Sequence, residues 1–232
     1  MVDINRHRFF LVQILKDINS DIELANSLGL KGGTALMFFY DLPRLSIDLD
    51  FNLLSPGKER FVYEQIRKII RRYGTISDEA MKFYGPLIVL DYGTGERKLK
   101  IEVSNRNFDN KYEIKNLLGI NMLVMVQEDM FAHKLCALLD RNFIANRDIF
   151  DSWFFMHKQT PVNTAIVESR MGMSYQDYIQ KCINTLEILS DRGILQGLGE
   201  LTGDDMKKFV RTKLRTETIG LLKFYKDFPV RS

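Results

Sequence analysis

Asp48 and Asp50 stand two residues apart in a stretch where apolar and polar residues alternate. Leu45, Ile47, Leu49, Phe51 and Leu53 fall on one side, and Ser46, Asp48, Asp50 and Asn52 on the other. A period of two predicts a strand over 45–53, with both carboxylates leaving one face about 7 Å apart. Like charges on one face repel, and Asp is a poor strand former, so something must offset the arrangement. A divalent cation, magnesium or manganese, would do so, because such ions take carboxylate oxygens together with substrate phosphates. The solvated face of an edge strand is the plainer account of the same two residues.

Upstream lie Gly32, Gly33 and Thr34. Paired glycines let backbone N–H groups approach a phosphate, and a helix beginning there points its positive end at it. A tight turn after a helix explains the glycines equally well. Glu102 adds a third acid: Lys98, Lys100 and Glu102 alternate with Leu99, Ile101 and Val103. If that strand lies beside the Asp strand, Glu102 completes a three-carboxylate cluster of the kind that serves two-metal chemistry. Otherwise it belongs to an ordinary Lys/Glu outer face. Arg44 and Ser46, just before the acids, can reach a phosphate or serve as a turn residue and an outward serine.

Lys31-Gly-Gly-Thr-Ala-Leu followed by Leu42-Pro-Arg-Leu-Ser-Ile-Asp-Leu-Asp-Phe resembles the first motif of the AbiEii/AbiGii-type nucleotidyltransferase toxins, within the polymerase-β-like superfamily. Two later landmarks continue the resemblance: Lys134 within Phe131-Ala-His-Lys-Leu-Cys-Ala-Leu, and Arg147, Asp148 and Asp151 as Arg-Asp-x-x-Asp. The third acid of that superfamily is often Asp, and Glu stands here. The resemblance implies transfer of a nucleoside monophosphate from an NTP to an acceptor, the 3′ end of tRNA being favoured. Asp48, Asp50 and Glu102 would hold metal, with Gly32, Gly33 and Thr34 on the triphosphate. Lys134, Asp148 and Arg147 would contact the nucleotide. It also implies the toxin half of a toxin–antitoxin or phage-defence pair, with a cognate antitoxin. On the residues alone, Lys134 flanks an apolar helix face, Asp148 suits a first helical turn, and Arg147 and Asp151 are spaced to pair with each other. A nucleotide- or partner-binding module without turnover, or a kinase-like phosphotransferase, stays open as an alternative.

The elements that must position these residues read as a mixed α/β N-terminal half, 1–126, and a helical half, 127–232. Helical periodicity covers 5–27 with Gly29 as its stop, a short helix runs from Thr34 to before Pro43, and a basic helix covers 58–73. A hairpin follows, 87–91 and 98–104 around Gly93-Thr94-Gly95, and then a buried strand over 120–126. Helices are expected at 128–139, 147–157, 174–190 and 204–226, with a loop marked by Gly193, Gly197, Gly199 and Gly203. The 232 residues, 45% hydrophobic and 27% charged, are enough for a buried core and argue against wholesale disorder.

A net charge of +3 is too small to imply nucleic acid by itself. Clustering says more: Arg67, Lys68, Arg71 and Arg72 share one helix, and Lys207, Lys208, Arg211, Lys213 and Arg215 crowd another. Each is a candidate RNA contact or a solvated helix face, with Tyr63, Tyr73 and Phe209 nearby to stack bases or pack the core. Cys136 and Cys182 fit no zinc spacing and read as reduced thiols. His7, His133 and His157 have no ligand spacing and read as surface or boundary residues. With no signal-peptide pattern and no apolar run of about 18 residues, the expectation is a cytoplasmic protein with no membrane partner.

Overall fold

The computed structural model describes residues 3–93, 98–141, 143–198 and 203–230. They divide into two compact units. The first comprises residues up to 41, 45–107 and 112–125; the second comprises 42–44, 108–111 and everything from 126 onward. Two short segments, 42–44 and 108–111, thus belong with the helical unit although they precede residue 126 in the chain.

In the first unit, α1 (Ile4–Ser20) and α2 (Ile22–Ser27) lead into β1 (Leu28–Lys31), α3 (Gly32–Phe39), β2 (Leu49–Leu53) and α4 (Glu59–Ile70). Then come β3 (Thr75–Lys82), β4 (Gly85–Asp91), β5 (Leu99–Ser104), β6 (Tyr112–Leu117) and β7 (Ile120–Met125). All seven strands form one mixed sheet in the order β3-β4-β5-β2-β1-β7-β6, as the α/β reading requires. β2 runs antiparallel to β1 and parallel to β5, and β1 runs parallel to β7.

Side chains of one sheet face, Leu30, Leu49, Phe51, Ile101 and Val103, are buried, as are Leu11, Ile14, Leu15 and Ile18 of α1 and Val62, Ile66 and Ile70 of α4. Each such burial contributes about 1.5–3 kcal/mol. This apolar face is what commits the alternate residues, Asp50 and Glu102 among them, to the other side of the sheet.

The expected strand over 45–53 is shorter in the structure. Only 49–53 joins the ladder, and Ser46 is buried, its N–H donating to Met37 Sδ at 3.5 Å. Strict alternation failed as a guide here because 45–48 is held by contacts other than a partner strand. Gly29 is not a helix stop: it sits inside β1, where an added Cβ would lie 2.2 Å from the Tyr112 ring. β3 and β6, whose residues are largely exposed and polar, were not anticipated, nor was β1. The 87–104 hairpin forms, with Leu90 opposite Leu99; Thr94 and Gly95 of its turn lie outside the described residues.

In the second unit, α5 (Gln127–Ala137), α6 (Asn146–His157), α7 (Thr164–Met171), α8 (Tyr175–Ile188), α9 (Asp204–Thr212) and α10 (Leu214–Asp227) follow. The single helix expected over 204–226 breaks at Lys213, and α7 was not foreseen. Phe131 stacks on Phe155 with ring centroids 5.0 Å apart, and Tyr178 donates to the Leu135 carbonyl at 2.8 Å. Cys136 and Cys182 are free, fully buried thiols, each pushed up to about 12 by burial. Among the described residues no helix is long and apolar enough to cross a membrane. Gly199 of the expected glycine loop lies outside the described residues.

Candidate active site

Strand register brings the acids of the first unit together. Asp50 pairs across the ladder with Lys31 on one side and Glu102 on the other, so the three side chains share one face. Asp48 precedes the strand by one residue, and its backbone is pinned. The Thr34 hydroxyl, fully buried, donates to the Asp48 carbonyl. One residue earlier, His7 Nε2–H donates to the Ile47 carbonyl at 2.9 Å, while Nδ1 bonds the Tyr92 hydroxyl. A carbonyl only accepts, so that bond places the proton on Nε2. His7 is therefore not a surface or boundary residue: it is completely buried, and its two ring nitrogens fasten the approach to Asp48.

Gly32 is where the glycine turn meets the acids. Its φ of +78° lies in the left-handed region, and a Cβ there would come 2.7 Å from Asp50 Oδ2. Only glycine combines that backbone with so close an approach. α3 begins at Gly32, so its free N–H groups start beside the Asp50 carboxylate.

Lys100 is the residue whose part the sequence left undecided. Its Nζ lies 3.7 Å from Asp48 Oδ2 and 3.2 Å from Glu102 Oε2. Burial disfavours its charge, but Asp50, Asp48 and Glu102 together outweigh burial and raise its pKa. Burial likewise opposes ionisation of Glu102, and the charges of Lys100, Lys82 and Lys31 overcome it, holding the carboxyl below its ordinary range. The repulsion between the acids is thus offset in part by an ammonium already in the chain.

Does this set fit a metal ion? Among the described residues, no three His, Cys, Asp or Glu side chains are arranged to hold one, and Glu102 is engaged by Lys100. Asp48 and Asp50 are left as the candidate ligands, a pair of the size that magnesium uses, since it is commonly held by one or two carboxylates while water and substrate phosphates complete its shell.

The second unit holds a separate charged cluster. Arg44 makes a two-pronged bridge to Asp151, both contacts 2.6 Å. Lys134 Nζ lies 2.8 Å from Asp151 Oδ2 and 3.6 Å from Asp148 Oδ1, and Arg141 lies 3.9 Å from Asp148 Oδ2. Burial opposes the Asp151 charge, yet Arg44 and Lys134 hold its carboxyl at about 2. Asp151 thus pairs with Arg44 and Lys134 rather than with Arg147, which is exposed. Asp148 is 1% exposed, and its Oδ2 has no hydrogen-bond partner among the described residues. A buried carboxylate oxygen left so is costly in a core built only for stability.

These landmarks match a known family along most of the chain. The model of the nucleotidyl transferase AbiEii toxin family, type IV toxin–antitoxin system, matches residues 13–218. The chain belongs to the AbiEii nucleotidyltransferase toxin family. Solved structures share its fold. JHP933 from Helicobacter pylori superposes with a TM-score of 0.61 at 18% identity, covering 98% of this chain and 93% of that one. MenT4, a nucleotidyltransferase toxin from Mycobacterium tuberculosis H37Rv, gives 0.58 at 15% identity, covering 95% and 84%. No curated protein sequence matches the chain.

In this AbiEii chain the two basic clusters are partly neutralised by acids, most of them distant in sequence. Arg67 bridges Glu79 with contacts of 2.7 and 2.8 Å, and Arg72 meets Asp17 at 3.0 Å, leaving Lys68 and Arg71 exposed. Arg215 bridges Asp191 at 2.6 and 2.9 Å, and Lys207 meets Asp204 at 3.0 Å, whereas Lys208 and Arg211 are exposed. Tyr73 donates to Asp17, and Phe209 packs on Trp153 at 4.5 Å. Sequence reasoning missed the roles of His7 and Lys100. Lys100 was readable as the lysine alternating with Glu102, but His7 carries no local signal because its partners lie 40 and 85 residues away.

Proposed function

We propose that this nucleotidyltransferase moves a nucleoside monophosphate from an NTP to the 3′ end of tRNA, using magnesium or manganese held by Asp48 and Asp50. The observation that carries the reading is the meeting of Gly32, Asp50 and Glu102 at the start of α3. The acceptor hydroxyl oxygen attacks the α-phosphorus and gives up its proton to water, the bond to the bridging oxygen breaks, and pyrophosphate departs. Gly32 and Gly33 offer backbone N–H groups to the triphosphate at a helix start. Thr34 acts through the backbone of Asp48, since its hydroxyl is spent on that carbonyl. A cation bound there supplies Lewis-acid polarisation of phosphoryl oxygens.

Glu102, kept ionised by Lys100, is a weak base; its part is to accept a hydrogen bond from the acceptor hydroxyl and orient it. Lys134, 17% exposed, contacts the phosphates as charge builds on them, with Asp148 and Arg147 on the nucleotide. In the cell the chain acts in the cytoplasm as the toxin of a pair with a cognate antitoxin, in phage defence.

The test is incubation with α-phosphate-labelled NTP and total RNA. Label should move onto tRNA in a magnesium-dependent way and be lost in Asp48→Ala. The hold of Lys100 on Glu102 favours a second reading, a binding module without turnover. Intact NTP binding with no transfer would establish that one, and transfer from the γ-phosphate alone would mark a phosphotransferase.

A further inference from the structure

The sheet face that carries Asp50 and Glu102 continues outward to the β3–β4 turn. One row across the ladder reads Ala80, Leu87, Glu102, Asp50 and Lys31. Two residues further along β3, about 7 Å, comes Lys82, on the same face and paired with Gly85. Between them project Phe83, 88% exposed, and Tyr84, 50% exposed, with ring centroids 4.9 Å apart and edge to face.

The turn is fixed in place. Asn105 N–H donates to the Tyr84 carbonyl at 2.9 Å, and Gly85, at φ +115°, lies so close to β5 that a Cβ would be 2.3 Å from the Val103 carbonyl oxygen. The Arg106 guanidinium lies 4.7 Å from the centre of the Tyr84 ring. Phe83, so exposed at a hairpin tip, is an apolar cost with little return inside the fold.

We infer that residues 82–84 with Arg106 form the platform on which the terminal bases of a single-stranded RNA acceptor stack, leading its 3′ end toward Glu102 and Asp50. This rests on the transfer reading above and names where its acceptor lies. Base stacking on aromatic rings is tolerant of sequence, and flanking cations follow the phosphate backbone. Lys82 and Arg106 supply those cations, and the charge of Lys82 reaches Glu102. An apolar protein partner would instead find two rings bracketed by positive charge rather than a continuous apolar patch.

The experiment is fluorescence anisotropy of the full chain with a labelled single-stranded RNA of about ten nucleotides, and with the same sequence as a duplex. NTP and metal are omitted, so a chain that transfers nothing still gives a readable result. The Phe83→Ala/Tyr84→Ala double variant, shown folded by circular dichroism, should bind the single strand about 10-fold or more weakly, whereas Tyr84→Phe should bind as wild type. Lys82→Gln should lower the salt dependence of binding. The inference is overturned if the folded double variant keeps wild-type affinity, if the wild type binds no single-stranded RNA, or if the double variant loses the cognate antitoxin and keeps RNA.

Discussion

Replacing Gly32 with alanine separates backbone strain from site geometry, because the chain provides its own control. Gly57 has nearly the same backbone, φ +84° against +78°, but nothing lies within 4 Å of where its Cβ would be. An L-residue in the left-handed region costs about 1–2 kcal/mol, so both Gly32→Ala and Gly57→Ala should lose that much stability in urea unfolding. Only at Gly32 does the new methyl meet something: Asp50 Oδ2 at 2.7 Å, which must withdraw by about 0.7 Å to reach ordinary contact at 3.4 Å. The carboxylate can swing that far, and the Asp50 Cβ, at 3.1 Å, needs a backbone shift of a few tenths of an ångström, so the fold survives with Asp50 displaced. A misplacement approaching 1 Å in a reacting constellation costs on the order of 100-fold in rate. Transfer from α-phosphate-labelled NTP should therefore fall about 100-fold in Gly32→Ala and stay within a few-fold of wild type in Gly57→Ala. Equal transfer by the two variants would refute the placement of Asp50 at the reacting centre.

Acid should act on the second unit through Asp151. Its carboxyl is held at about 2 against an ordinary 3.8. A depressed folded value means stability present above about pH 4 and lost as pH falls from about 4 to about 2, a loss of about 2 kcal/mol. Asp151→Asn should remove that acid limb and cost about 3–5 kcal/mol at neutral pH, since Arg44 and Lys134 lose a buried partner; parallel pH profiles for variant and wild type in urea unfolding would contradict the assignment. Lys100→Met removes the ammonium that competes with a cation for Asp48, so the magnesium concentration giving half-maximal transfer should drop several-fold. An unchanged midpoint in that titration would show that Lys100 lies outside the metal's field.

What the sequence made legible follows from how local each signal was. The alternation of Leu99, Ile101 and Val103 with Glu102 put that acid on the outer face of a strand, and the ladder then set it opposite Asp50. The helical periodicities of 5–27 and 58–73 became α1, α2 and α4 because an apolar stripe suffices to call a helix to a core. β3 and β6 were hidden because edge strands need no apolar face, and their polar residues look like loop. The start of the Asp strand was drawn too early because nothing local distinguishes 45–48, tethered by His7 and Thr34, from a paired strand. Arg44 shows the same limit: its partner Asp151 is 107 residues away, and only the folded chain reveals it.

Both cysteines of the chain, Cys136 and Cys182, lie in the helical unit, fully enclosed and poor in thiolate. A thiol-reactive dye can therefore label this protein only when those helices open, and the sheet-bearing half contributes no background. Labelling rates would time the breathing of one half of the molecule in the unmodified chain, and any partner that clamps the helices would register as slower uptake of dye.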